Sequence, residues 1–319
     1  MNLSLVIPVY NEELNLEPLF DAIRGAMDAV GKSWEVIFVD DGSTDGSLDI
    51  LRRLAQRAPD HVRVIVFRRN FGQTAAISAG LDYSEGEIMI LLDADLQNDP
   101  SDIPLLLQKL DEGYDVVSGW RKTRRDNALT RTLPSILANA LISWVTGVHL
   151  HDYGCTLKAY RRGSLEGFRL YGEMHRFIPV FAHSVGARIT EVPVQHHPRT
   201  HGRANYGLDR TLKVVLDLIT AKFLLNYSHK PMRLFGGAGM GLIFGGSALL
   251  LYLFIRRYVG SVSVLGSPLL QLAIMLLIMG FQSILMGLMA ELLARTYHES
   301  QKKLTYTVRE VIPSGGNHA

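Results

Sequence analysis

At 319 residues the chain can build one sizeable core plus something smaller, and 47% hydrophobic with 20% charged residues excludes a disordered chain. A formal net charge of +2 excludes a nucleic-acid partner recruited by overall charge. The single cysteine, Cys155, excludes an intramolecular disulfide and a cysteine-built zinc cluster, and fits a reducing compartment.

The chain opens on an apolar run without the basic lead of a signal peptide, so the N-terminal region is expected to stay on one side of any membrane. Five strand-like runs follow in order: Leu3–Tyr10, Trp34–Val39, Val62–Phe67, Glu87–Leu92 and Tyr114–Gly119. Most are nearly continuous apolar runs, as parallel strands covered on both faces require. Amphipathic stretches at Leu14–Val30, Ser47–Gln56, Thr74–Tyr83 and Pro104–Glu112 separate them and predict helices. Strand alternating with helix predicts an open, mostly parallel α/β sheet as the fold of a globular domain over residues 1–207.

From Leu208 the character changes. Leu208–Leu225 carries apolar residues at helical spacing with Arg210, Lys213, Asp217 and Lys222 between them. It reads either as a surface helix or as part of an amphipathic region, 208–233, lying in a membrane interface. Leu234–Ile255 and Val262–Ala290 are uncharged and long enough to cross a bilayer, which predicts a two-span hairpin over 234–290 and a tail over 291–319. Gly237, Gly241 and Gly245 stand four apart and suit close helix contact, within the hairpin or between subunits of a homo-oligomer, for which the tail is another route. Lys222, Lys230 and Arg233 before the spans, and Arg295, Lys302, Lys303 and Arg309 after them, outnumber Arg256 and Arg257 in the connection. This bias predicts both termini, and the globular domain, in the cytoplasm, with a bacterial inner membrane as the expected location.

In an open α/β sheet ligands bind beyond the carboxyl ends of the strands. The first run ends in Pro8-Val-Tyr-Asn-Glu12, the second in Asp40-Asp-Gly-Ser-Thr-Asp45, the fourth in Asp93-Ala-Asp-Leu-Gln97. Asp93 and Asp95 stand two apart, which in extended backbone turns both carboxylates to one side. Two such carboxylates repel unless a proton or cation lies between them, and Mg²⁺ or Mn²⁺ suits oxygen ligands, with Gln97 as a neutral third. The alternative is a turn in which the aspartates only cap the next helix. Asp40 and Asp41 likewise read as a turn or as acceptors for a base or ribose. No Gly-x-Gly-x-x-Gly follows the first run, which argues against a dinucleotide-binding dehydrogenase.

These motifs, with Arg69-Asn-Phe-Gly72 between them, occur in the order and spacing of the family-2 glycosyltransferases, which the chain resembles. Asp152-Tyr-Gly-Cys-Thr-Leu-Lys-Ala-Tyr-Arg161, the segment Arg199–Tyr206, the hairpin and Tyr306-Thr-Val-Arg-Glu310 resemble its polyprenyl-phosphate branch. That branch includes dolichol-phosphate mannose synthase and the bacterial undecaprenyl-phosphate sugar transferases. The resemblance implies a GT-A-like nucleotide-sugar-binding sheet. Pro8, Tyr10, Glu12 and Asp40 would line the base pocket, with Asp41 at its edge. Asp93, Asp95 and Gln97 would hold the metal on the donor diphosphate, Asp93 also touching the nucleotide. Arg121, Arg131 and Ser135 match positions that grip the lipid phosphate, and Arg199 opens a loop closing over donor and acceptor. That loop has Ala204-Asn205 where the family often has Ser-Lys, and Arg203 is the candidate to replace the missing charge. Asp152 is either a turn residue or shapes the sugar pocket.

Other readings of the same residues stay open. Arg121, Arg124, Arg125 and Arg131 also read as a solvated basic stretch, and Ser135 as a helix start. His196, His197 and His201 read as surface histidines sooner than as a second metal site. The implied reaction is inverting transfer of a sugar from a nucleotide donor, UDP-linked by analogy with bacterial relatives, to undecaprenyl or dolichyl phosphate. Asp95, Arg121, Arg131 and Asp152 are the candidate catalytic residues. The alternatives are a transferase with a non-lipid acceptor, a processive synthase, against which the missing Gln-x-x-Arg-Trp argues, and a non-enzymatic membrane scaffold.

Overall fold

The computed structural model describes residues 1–122, 139–140, 142–144, 146–166, 170, 174–198, 231–260, 267–300 and 305–313. The chain divides into two compact units, Met1–Leu218 with Leu304–Ala319, and Ile219–Lys303.

The first unit is built on the five expected strands: β1 (Leu3–Val9), β2 (Trp34–Asp40), β3 (Val62–Phe67), β4 (Ile88–Leu91) and β5 (Val116–Trp120). Helices α1 (Leu16–Val30), α2 (Ser47–Arg57), α3 (Gln73–Tyr83) and α4 (Ile103–Asp111) connect them. The first four strands are parallel, in spatial order β4-β1-β2-β3. Every residue of β2 is buried because helices cover both faces, which is why its sequence does not alternate. Leu5, Ile7, Val36, Phe38, Val64 and Ile90 pack on one face against Phe20, Ile23, Leu51 and Leu106 of α1, α2 and α4. On the other face Ile37, Val39 and Ile65 meet Ala75, Ala76 and Ala79 of α3.

Beyond the five, the sheet has three further strands among the described residues: β6 (Lys158–Arg161), β7 (Ile189–Pro193) and β8 (Val308–Ile312). A short helix, α5 (Ile178–Ser184), precedes β7. The full order is β7-β5-β6-β4-β1-β2-β3-β8. β6 lies antiparallel between β4 and β5, and β8 antiparallel on the far edge against β3. β8 is held by its neighbours as well as by the ladder. Just before it Tyr306 stacks on Phe67 at 5.2 Å and donates to Asp82 at 2.9 Å, and Glu310 accepts from Arg52 at 2.9 Å.

The second unit holds two long helices, α6 (Pro231–Gly260) and α7 (Pro268–Ser300). Phe235–Val259 and Pro268–Ala290 are long and apolar enough to cross a membrane, and only 17% of an 18-residue apolar segment in each is buried within the protein. Their outward surface is therefore apolar, with Phe244, Tyr258, Phe281 and Met289 all more than half exposed. The two helices meet through Gly239 and Gly280: a Cβ on Gly239 would lie 2.6 Å from the Gly280 carbonyl oxygen, and the reverse contact would be 2.7 Å. Gly237, Gly241 and Gly245 take no part in this contact; each has open space where a Cβ would stand.

Candidate active site

The functional residues gather at the carboxyl edge of the sheet, where the strand order reverses between β1 and β4. Register decides which of them meet. Val6 pairs with Leu91, so Asp93, two residues beyond β4, comes level with Pro8, which is still within β1. Val9 pairs with Asp40, and Asp41 N–H donates to the Val9 carbonyl at 2.8 Å, placing the second acidic strand end beside the first. β6 runs the other way, with Lys158 opposite Leu91, which brings Thr156 back to the level of Asp93. β5 ends at the same edge and delivers Arg121.

Pro8 is half-buried, Tyr10 is 48% exposed, and the loops after β1 and β2 are knitted together. Asn11, at a left-handed φ of 57°, accepts from Thr44 N–H at 2.8 Å and donates its own N–H to Ser43 at 3.0 Å. Glu12 N–H donates to Ser47 at 2.9 Å, while its carboxylate accepts from Asn15 at 2.6 Å. Asp40 is buried and accepts from Ser43 N–H; burial raises its pKa, offset in part by that bond. Asp41 spends both oxygens on backbone, accepting from Phe71 N–H at 2.7 Å and Gly72 N–H at 2.9 Å. It therefore braces the Arg69–Gly72 loop. Gly42 makes this close approach possible: at φ 70° any Cβ would stand 2.6 Å from the Arg69 carbonyl carbon.

Beyond β4 the chain turns sharply, with Leu96 in the left-handed region at φ 59°, a conformation that costs free energy and clusters at functional turns. Asp95 is buried and accepts from Gln97 N–H at 3.1 Å. Asp93 is half-buried and held on both oxygens, by Gln73 Nε2 at 2.8 Å and by Thr156 Oγ1 at 2.5 Å. Burial, then the charge of Asp95, raise the pKa of Asp93, against the Thr156 bond that lowers it. Gln97 is half-buried and its carbonyl accepts from His197 N–H at 2.9 Å.

Arg121 and Asp152 form a buried two-point ion pair, Nε to Oδ2 at 2.7 Å and Nη2 to Oδ1 at 3.0 Å. Burial pulls the Arg121 pKa down, but the bonds and charge of Asp152 raise it further, so the guanidinium stays charged. Among the described residues no hydrogen bond engages Nη1, and the Arg121 side chain keeps 18% of its surface exposed. Asp152 thus aims a fixed cation at the carboxyl edge.

Arg131, Ser135, Arg199 and Arg203, with Arg124, Arg125 and His201, lie outside the described residues. His196 and His197 run beside the acidic turn: His196 bridges to Asn98, and His197 pairs with Asp99 at 3.0 Å. That pairing helps lower the Asp99 pKa: burial raises it, and bonds from Ser101 and His197 outweigh burial. Gln73, Thr156 and Lys158, all close to the acidic turn, were not among the residues expected from sequence.

Asp93, Asp95 and Gln97 supply only hard oxygen donors, and the mutual repulsion that raises the Asp93 pKa is what a divalent cation would relieve. The residues therefore fit Mg²⁺ or Mn²⁺. Among the described residues no group of three or more histidine, cysteine or acidic side chains is placed to hold a metal ion by itself. An open site suits a cation that keeps positions for phosphate oxygens.

The model of the family described as glycosyl transferase family 2 matches residues 4–168. Dodecaprenyl-phosphate galacturonate synthase of Rhizobium johnstonii is 42% identical over 314 residues, covering 98% of this chain and 93% of that protein. Undecaprenyl-phosphate 4-deoxy-4-formamido-L-arabinose transferase of Pseudomonas paraeruginosa is 38% identical over 310 residues, covering 97% and 90%. Among solved structures, glucosyl-3-phosphoglycerate synthase of Mycobacterium tuberculosis, in complex with Mn²⁺, uridine diphosphate and glucosyl-3-phosphoglycerate, aligns with a TM-score of 0.51 at 22% identity. The alignment covers 70% of this chain and 78% of that one, a likeness of fold.

Proposed function

The chain belongs to glycosyl transferase family 2, and from that membership we propose that it moves a sugar from a nucleotide donor to a polyprenyl phosphate at the cytoplasmic face of a membrane. The observation that carries the reading is the convergence of Asp93 and Asp95 with the Asp152-held Arg121 at one sheet edge. In the same chain stand two spans' worth of exposed apolar helix. Relatives along nearly the whole length are named for transfer to dodecaprenyl and undecaprenyl phosphate. The basic residues flanking the spans support the cytoplasmic placement.

Asp93, Asp95 and Gln97 would hold a divalent cation, which when bound neutralises the donor diphosphate and stabilises it as leaving group. Asp40 and Tyr10 would line the base and ribose, on loops fixed by the Asn11 and Glu12 bonds. Arg121 offers Nη1 to an oxygen of the acceptor phosphate, and Asp152 keeps it aimed there. No general base is needed, because a phosphate monoester is already an anionic oxygen nucleophile near neutral pH. The chemistry reduces to bringing two anions together in line, giving inversion at the anomeric carbon without a glycosyl-enzyme.

The test uses purified full-length protein, polyprenyl phosphate, a panel of nucleotide sugars and either MnCl₂ or EDTA. UDP-galacturonate and the UDP-linked formamido-arabinose head the panel because the relatives' sugars differ. A labelled lipid product that needs Mn²⁺ and disappears in Asp95→Ala is the expected result. A product only on water-soluble acceptors, or retention of anomeric configuration, would overturn the reading.

A further inference from the structure

Lys158 is 3% exposed, yet among the described residues its ammonium meets no carboxylate within hydrogen-bonding distance; it donates to the Tyr153 carbonyl at 3.0 Å and the Cys155 carbonyl at 2.5 Å. Burial pulls its pKa down to about 8, the mark of a charge that is costly where it sits. An apolar side chain of similar length would fill the same space without that cost. What the ammonium does achieve is to pin the Asp152–Leu157 loop from beneath. The loop is tied at three more points: Asp152 to Arg121, Gly154 N–H to Asp152 at 3.1 Å, and the Leu157 carbonyl to Gly119 N–H at 2.9 Å. Cys155, fully buried, plugs it into the core.

The side chain this fixed loop presents to the acidic turn is Thr156, whose hydroxyl donates to Asp93 Oδ2 at 2.5 Å. The other oxygen of Asp93 is held by Gln73, an exposed side chain in the first turn of α3 that can swing away. Thr156 is β-branched, half-buried and stiff about χ1. Of the two donors it is the one able to fix a rotamer.

We infer that Thr156, on a loop pinned by the buried Lys158, is a positioning residue that holds Asp93 in the rotamer facing the donor diphosphate and its cation. This rests on the role proposed above for Asp93. Partners of this kind behind a ligating carboxylate typically change metal affinity 10–100-fold when removed.

The experiment measures Mn²⁺ binding in the presence of UDP, by electron paramagnetic resonance of free Mn²⁺, on full-length protein in detergent. Thr156→Val keeps the shape and deletes the hydroxyl; it is expected to weaken Mn²⁺ binding by about 10–100-fold with an unchanged melting temperature. Thr156→Ser restores the hydroxyl and is expected to recover most of the affinity, which a purely packing role would not give. Lys158→Met is expected to produce a loss of the same kind. Combined with Thr156→Val it should add little, since both act through one loop. Wild-type affinity in Thr156→Val, while Asp93→Ala has lost binding, overturns the inference. Retained binding in Asp93→Ala overturns instead the reading of Asp93 beneath it.

Discussion

The buried Arg121–Asp152 pair is both a structural and a functional feature, and the two roles separate under mutation. The Asp152 side chain is 2% exposed and the Arg121 side chain 18%, so Asp152→Asn strands a buried cation, a change that costs about 3–5 kcal/mol. The melting temperature in detergent should fall steeply. Arg121→Met combined with Asp152→Leu removes both charges, and is expected to recover stability without recovering transfer. A double variant that regains activity would show that Arg121 does no chemistry. Cys155 gives a cleaner reading because it is the only thiol. Burial pushes its pKa up from 9.0 to about 11, so at pH 8 the thiolate fraction drops from about one tenth to about one in a thousand. With access blocked as well, the native protein should not react with dithiobis(nitrobenzoate) at pH 8, and one thiol should appear on denaturation. At this scale Asp93 and Asp95 were legible as a pair because their spacing of two follows directly on an uncharged strand, which the structure shows as β4. Thr156 and Gln73 stayed hidden because they reach Asp93 from 63 and 20 residues away, through a register no local pattern encodes.

Elements were legible where burial was two-sided. β1 to β4 read as apolar runs because helices cover both faces. β6 is four residues, Lys-Ala-Tyr-Arg, β7 carries Glu191 at its centre and β8 the adjacent pair Arg309 and Glu310, so none resembles a core strand in isolation. The long helices show the same division between pattern and context. Gly237, Gly241 and Gly245 make the conspicuous spacing, but the contact between helices falls on Gly239, Gly246 and Gly280, whose closeness only the paired structure reveals. A Leu at position 280 would press on the Gly239 carbonyl and Ile243, with no room to yield. Gly280→Leu is therefore expected to lower the melting temperature in detergent by several degrees, and Gly241→Leu to leave it unchanged. Equal effects from the two would show that the helices pair through another face.

At the scale of the whole chain, the first unit is discontinuous: its last strand arrives only after the two long helices. Stopping the chain at residue 218 therefore removes β8 as well as the helices. It uncovers the β3 edge, the Phe67 ring and the Arg52 guanidinium. Loss of activity in such a truncate would reflect a damaged sheet, whatever the role of the membrane. Replacing residues 219–303 by a long Gly/Ser linker keeps β8 available, and the closure cost of a flexible linker grows only slowly with its length, by about 0.6 kcal/mol per doubling. If the helices serve to bring the site to a lipid acceptor, the linked protein should leave the membrane fraction and bind Mn²⁺ with UDP like the full chain. It should still transfer sugar to a short-chain polyprenyl phosphate soluble in water, and fail on the long-chain lipid in vesicles. The full chain should use both. Undiminished transfer to the vesicle lipid by the linked protein would mean that the sheet edge finds its acceptor unaided, and that the apolar helices serve assembly or location alone.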